Sequence, residues 1–277
     1  MISNFLEMFS YSFMVRAFIA GILISFCAAL IGVSLVLKRN SMIGDGLSHV
    51  GFGAFAIATA FGFAPLWFTI PVVIILSFFV LQLSENDKIH GDSAIALLSA
   101  SSLAIGTFTI SIVKGVNTDI NNYLFGSILS ISKEDIIICI IVATLITLLY
   151  IISYNKIFAI TFDERFAKSI GINTNIYNII FASLCSIVVV LGMRLMGALL
   201  ISSLIVFPTL SSWQIFSKFK AVILSSIVIG VLSFIIGLTT SYMLETPTGS
   251  TIVIINLIIL ILTIIIKNII NIYKIKK

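Results

Sequence analysis

Apolar stretches about as long as a bilayer is thick recur through the chain, and the breaks between them are short. A helix crossing the hydrocarbon core needs about 20 mostly apolar residues. Nine runs of that kind can be marked, at 17–37, 43–63, 66–83, 94–113, 136–154, 176–193, 195–216, 221–244 and 251–266. Asp, Glu, Lys and Arg make up 10% of the chain, against about 25% in a soluble protein. The mean hydropathy of +1.22 excludes an ordinary soluble domain. Within 277 residues there is room for eight to ten spans and for no soluble domain. The expected fold is all-α: a polytopic transmembrane helical bundle of about nine spans, with 1–277 as one transmembrane domain.

The few charges orient the spans. Lys and Arg concentrate on the cytoplasmic side of membrane proteins. If the N-terminus lies outside, the cytoplasmic breaks and tail collect 12 cations, and the outer breaks hold only Arg16, Lys114, Lys133 and Arg194. The expected orientation is therefore N-terminus outside, C-terminus cytoplasmic. A basic collar attracted to anionic lipid accounts for the net charge of +5, with no nucleic acid needed. The first residues carry Glu7 rather than a basic stretch and show no small-residue cleavage site, so the first apolar run is expected to stay as a span. Cys27, Cys139 and Cys185 lie inside apolar runs without a CxxC pair and read as small core-filling residues. Glycines dispersed through the spans point to closely packed helices.

Against this background Asp45 and His49 are anomalous. An ionisable group in a membrane span demands a reason, because its desolvation is costly. His49 is one of only two histidines, and Asp45 stands four residues before it at the start of the second run. At that spacing on a helix the two side chains leave one face, one turn apart. A carboxylate with an imidazole suits zinc, and also manganese or iron. Two ligands do not complete a site; a dimer with its pathway on the twofold axis would supply two of each. The competing reading is an N-cap aspartate beside an interfacial histidine.

Two other segments carry charge. His90-Gly91-Asp92-Ser93 opens the fourth run, and Asp92 or Ser93 fits a helix cap. The stretch 162–173 alternates Phe166, Ala167 and Ile170 with charges at helical spacing, and Gly171 then stops the helix. A short amphipathic helix of this kind either lies in the headgroup layer or docks into a partner. There is no GxxxxGK[ST] loop for a nucleotide, and neither HExxH nor GxSxG for hydrolysis. With Glu245 and Arg194 at outer span ends, no catalytic dyad is buried in a span, and the chain does not read as an enzyme.

The ordered set of motifs resembles the permease subunits of ABC importers for zinc, manganese and iron. The resemblance runs nearly the whole length. It rests on Val36–His49, on Gly91-Asp92-Ser93-Ala94-Ile95, and on Leu124-Phe125-Gly126-Ser127-Ile128-Leu129. It continues through Asp163-Glu164 with Ala167 and Gly171, Gly197-Ala198-Leu199-Leu200 with Pro208, and Thr246-Pro247-Thr248-Gly249-Ser250-Thr251. It implies a type II importer fold, similar to cobalamin-importer permeases without their first helix, in a bacterial inner membrane. It implies a homodimer, a cytoplasmic ATP-binding subunit that hydrolyses ATP, and an extracellular or periplasmic metal-binding protein. Asp45 and His49 then become transient ligands for transported zinc, or manganese or ferrous iron, near the inner part of the pathway, with no permanently bound cofactor. Glu164, Ala167 and Gly171 fall on the helix that couples to the ATPase. Asp92, Pro208, Pro247 and Gly249 take gating or packing roles. Gly44 and Gly46 flank Asp45 where many relatives have a larger residue at position 46, which suggests a hinge. The rival readings are a transporter or channel acting alone, and a structural membrane protein.

Overall fold

The computed structural model describes residues 8–84, 91–113, 126 and 131–275. Eleven helices account for nearly all of them. They are α1 (Ser12–Leu37), α2 (Met42–Ala60), α3 (Pro65–Ser84), α4 (Gly91–Ile112), α5 (Lys133–Ile152), α6 (Tyr154–Phe162), α7 (Glu164–Ser169), α8 (Thr174–Met196), α9 (Ala198–Ile215), α10 (Phe219–Leu244) and α11 (Thr248–Ile275). Each of the nine expected runs falls on one of the nine long helices. Among the described residues seven of these are long and apolar enough to cross a membrane on their own. The other two are α2, diluted by glycine, Asp45 and His49, and α3, whose described apolar stretch Pro65–Val80 is short. The short helices α6 and α7 lie between α5 and α8.

Burial ranks the helices. In its most apolar window α1 is 78% buried and α4 only 11%, so α1 is a central post and α4 faces outward. α1 packs on α5, α8, α9 and α10, and α2 is held among α3, α4, α8 and α9. Where α2 meets α4, a side-chain carbon at Gly53 would stand 2.6 Å from the Ser102 carbonyl oxygen. Only glycine permits that approach, the device by which membrane helices associate without a hydrophobic driving force. The three cysteines are buried and unpaired, in line with a core-filling role.

Contacts between chain-distant side chains identify the two ends of the bundle. At one end Lys38, closing α1, meets Asn178 of α8 and Glu164 of α7. Tyr154 of α6 packs there on Phe219 of α10, and Lys156 lies over the Tyr177 ring. At the other end Arg194 of α8 reaches Asp135 of α5, and Ile252 of α11 fills the space beside Gly237 of α10. The cations thus gather at the α7 end, the cytoplasmic end in the charge-derived orientation. Arg194 was expected in a break between spans; instead α8 continues to Met196 and the chain turns at Gly197, with φ of 94°. The ion pair to Asp135 is what lets the arginine remain in the helix.

Candidate functional site

The start of α2 is set by how α1 stops. Arg39 N–H donates to Val36 O at 3.0 Å and Asn40 N–H to Leu35 O at 2.9 Å. These are the two bonds of a Schellman motif. Its left-handed position is occupied by Arg39, with φ of 62°, where glycine is usual. A side chain there costs about 1–2 kcal/mol, so the turn is held by its surroundings. Ile43 N–H then donates to Asn40 O and α2 begins, with Ser41 rather than Asp45 in the cap position. Asp45 is in the first turn of a regular helix, which removes the capping explanation. The flanking glycines do not loosen it either. Side-chain carbons at Gly44 and Gly46 would press on Ile205 and Ile95, so both serve close packing rather than a hinge.

Asp45 and His49 do share a face. His49 Nε2 lies 3.8 Å from Asp45 Oδ2, with Asp45 44% exposed and His49 23%. This is too long for a hydrogen bond. A tetrahedral ion with bonds of about 2.1 Å would hold two ligand atoms roughly 3.4 Å apart, a small adjustment away. His49 Nδ1 is buried and meets no hydrogen-bond partner among the described residues. Among those residues no third His, Cys, Asp or Glu joins the pair. Asp45 borders an open groove of about 500 Å³ between α2, α9 and α11. Four serines, Ser41, Ser202, Ser203 and Ser250, line it beside Met42, Leu199, Val206, Phe207, Val253 and Ile254. Hydroxyl rungs in an apolar groove give an ion weak oxygen contacts without a deep trap.

Neighbouring helices give the level of the pair. Gly32 of α1 and Gly44 of α2 both abut Ile205, midway along α9. Asp45 therefore stands level with the middle of α9, and His49 one turn, about 5.4 Å, further from the α7 end. Along α1 and α2 the pair lies close to the helix ends that meet at the 38–41 turn, the end expected to be the inner one.

At the α7 end, Asp163 caps α7 by accepting from Phe166 N–H at 2.9 Å. A second Schellman motif stops it, with Gly171 at φ of 84°. Ala167 is fully buried against the chain itself. Glu164 also turns inward, accepting from Asn178 Nδ2 at 3.0 Å and lying 3.5 Å from Lys38 Nζ. Outward, α7 presents Phe166 beside the exposed Arg165 and Lys168, with exposed Phe162 just before it and Ile170 just after it. The sequence had singled out Glu164, Ala167 and Gly171; the outward apolar triplet was legible only as a helical spacing. Partial burial pushes the Glu164 carboxyl up, but the Lys38 ammonium, the Asn178 amide and Lys168 outweigh it and hold it below its usual value. A depressed carboxylate stabilises the fold above its unfolded value, about 4.3, and that contribution is lost as pH falls through the lowered one. In melts of the purified protein, Glu164→Gln is expected to be less stable than the parent at neutral pH, with the gap closing below about pH 4.

At the other end Asp135 is buried, closes a capping box with Ser132, and receives Arg194 Nη1 at 2.7 Å. Gly126, with φ of 78°, abuts the backbone of Met196, leaving no room for a side chain. The α10–α11 turn holds Glu245 in the left-handed region at φ of 53°. Hydroxyls fasten that turn: Ser241 Oγ donates to Thr246 O at 2.6 Å, and Thr246 pairs with Thr251 at 2.8 Å. Pro247 is exposed there and Gly249 buried, one residue before groove-lining Ser250. Pro208 is buried within α9 beside Gly230 of α10. Asp92 is exposed in the first turn of α4, inside the helix rather than at its cap. His90 lies outside the described residues.

The sequence matches the ABC 3 transport family over residues 10–267. The chain belongs to that family. A membrane protein of Cyanophora paradoxa named as uncharacterised is 32% identical over 268 residues, covering 96% of this chain and 89% of the relative. A probable metal transport system membrane protein of Thermotoga maritima is 31% identical over 255 residues, covering 92% and 90%. Among solved structures, PsaBC from Streptococcus pneumoniae in complex with Fab superposes with a TM-score of 0.85 at 27% identity, covering 95% of both chains. The chain is thus a multi-pass cell-membrane permease of the metal-transporting ABC importer family. It is not an enzyme; ATP hydrolysis belongs to a separate subunit.

Proposed function

We propose that this permease imports a divalent metal ion, with zinc the leading candidate and manganese or ferrous iron next. The observation that carries the reading is the Asp45–His49 pair, with Asp45 at the edge of an open serine-lined groove. An imidazole nitrogen with a carboxylate oxygen favours borderline ions over magnesium or calcium. A site of two protein ligands binds loosely, as transit requires, because an ion held tightly cannot leave. The exposed groove leaves each pair open to completion by a second copy of the chain, so the working unit is a homodimer with the pathway between its halves. An extracellular or periplasmic metal-binding protein delivers the ion near the α10–α11 turn. The 162–173 segment, centred on α7, is the coupling helix, and a cytoplasmic ATP-binding subunit receives Phe166 and Ile170.

The test is uptake of zinc, manganese and ferrous iron in turn into vesicles holding the complete complex. One of them is expected to accumulate only with ATP and the ATPase subunit present. Accumulation by the permease alone, without ATP, would instead show a transporter or channel acting by itself. Docking has its own prediction. An exposed aromatic anchor commonly contributes 2 kcal/mol or more to an interface. Phe166→Asp is accordingly expected to reduce co-purification of the ATPase subunit by about thirtyfold, with the permease still extracted as a folded protein.

A further inference from the structure

Glu164 was expected to face the ATPase subunit, yet its carboxylate is committed to the interior of its own chain. Three side chains from three elements close a triangle. Lys38 Nζ donates to Asn178 Oδ1 at 3.0 Å, Asn178 Nδ2 donates to Glu164 Oε1 at 3.0 Å, and Lys38 Nζ stands 3.5 Å from Glu164 Oε2. Lys38 is only 18% exposed and Glu164 31%. The second cation on Glu164, Lys168, is 53% exposed at 3.5 Å, and a pair so open to water contributes little. The partly buried contact with Lys38 therefore dominates.

The position of Lys38 gives the triangle its significance. It is the capping residue of α1, directly before the left-handed Arg39. Between Lys38 and Asp45 every residue belongs to the Schellman turn, to the cap of α2 at Ser41 or to the first turn of α2. No flexible link intervenes. A displacement of α7 carried by Glu164 to Lys38 is thus passed on to the start of α2, and Asp45 moves with it. Coupling between distant sites needs such a contiguous chain of stiff contacts. The contact is also breakable, since its ion pair and hydrogen bonds are only partly buried.

We propose that Lys38 is a positioning residue that links α7 to the ligand-bearing start of α2, with Glu164 and Asn178 as its anchors. The proposal rests on the reading of α7 as the docking site of the ATPase subunit. In that arrangement ATP-driven movement of α7 shifts Asp45 relative to the groove through Lys38. The outward face of α7 supplies the grip and its inward face the transmission.

The experiment uses the complete complex in vesicles, supplied with whichever of zinc, manganese or ferrous iron the parent accumulates, and reads ions imported per ATP hydrolysed. Lys38→Met removes the charge and keeps the length. It is expected to lower that ratio at least threefold with ATPase subunit still bound, and Lys38→Arg to restore most of it. The exchange Lys38→Glu with Glu164→Lys is expected to recover more than either change alone. A residue that merely supports the fold would reduce import and hydrolysis together, so an unchanged ratio in Lys38→Met overturns the proposal. A separate cross-link from Phe166→Cys to the ATPase subunit tests the docking. If it forms and the ratio is unchanged, only the relay is wrong; if it does not form, the docking and the relay fall together.

Discussion

Replacing Asp45 and His49 together by alanine is expected to lower ATP-driven metal uptake by thirtyfold or more, with assembly of the complex unaffected. A carboxylate about 4 Å from a divalent ion is attracted by roughly 8 kcal/mol at an effective dielectric of 20. Most of this is offset by the hydration that a half-exposed Asp45 gives up. If only about 2 kcal/mol survives at the height of the barrier, the rate falls about thirtyfold. The single variants separate the contributions. Asp45→Asn keeps an oxygen and removes the charge; His49→Gln removes the nitrogen donor and keeps a polar group. Uptake by the complete complex at several ion concentrations is the measurement, and parental uptake by the double variant would end the ligand assignment. Because Ser41 holds the cap position and Asp45 does not, loss of helix α2 is not a ready alternative explanation for a defect.

The second large effect is expected where α5 meets the end of α8. Asp135→Ala is expected to destabilise the folded permease by about 2–3 kcal/mol, at the low end for breaking a buried pair because Arg194 is partly wet. Asp135 is 4% exposed and bonded at once to Arg194 and to the start of its own helix, so its loss removes a cap and strands a cation. Arg194→Met alone should cost less, since the capping box with Ser132 survives. In a double-mutant cycle on thermal melts, the two effects are expected to add to more than the double variant shows. Strict additivity would mean that the 2.7 Å contact contributes nothing.

The contrast between these positions shows what one sequence discloses. The nine long helices were readable because each must be apolar over about 20 residues, whatever it packs against. The short helix within 162–173 was readable because Phe166, Ala167 and Ile170 recur at helical spacing and Gly171 supplies stop chemistry. Asp45 and His49 were readable as a pair because their spacing is local. The turn before them was not, because Arg39 holds a left-handed position for which glycine would have been the signal. The Asp135–Arg194 bond joins residues 59 apart, and in sequence each looks like one more charge at a span end. Glu164 was recognised, but the side of α7 it occupies is fixed by Lys38 and Asn178, which no local pattern connects to it.

Among the described residues no third acid, histidine or cysteine joins Asp45 and His49, and this has an electrical consequence. In a homodimer closed over the groove, two copies of Asp45 bring two negative charges to the path of an ion carrying two positive ones. The Born penalty for a divalent ion rises with the square of its charge, and a pair of facing carboxylates reduces the net charge seen by the surrounding hydrocarbon to zero. A monovalent ion in the same place would leave the site one charge negative, and an empty site would leave two carboxylates repelling each other. Under the proposed homodimer, half a site in each chain would act as a valence filter before any question of ligand geometry arises, and the serines of the groove would do no more than replace water.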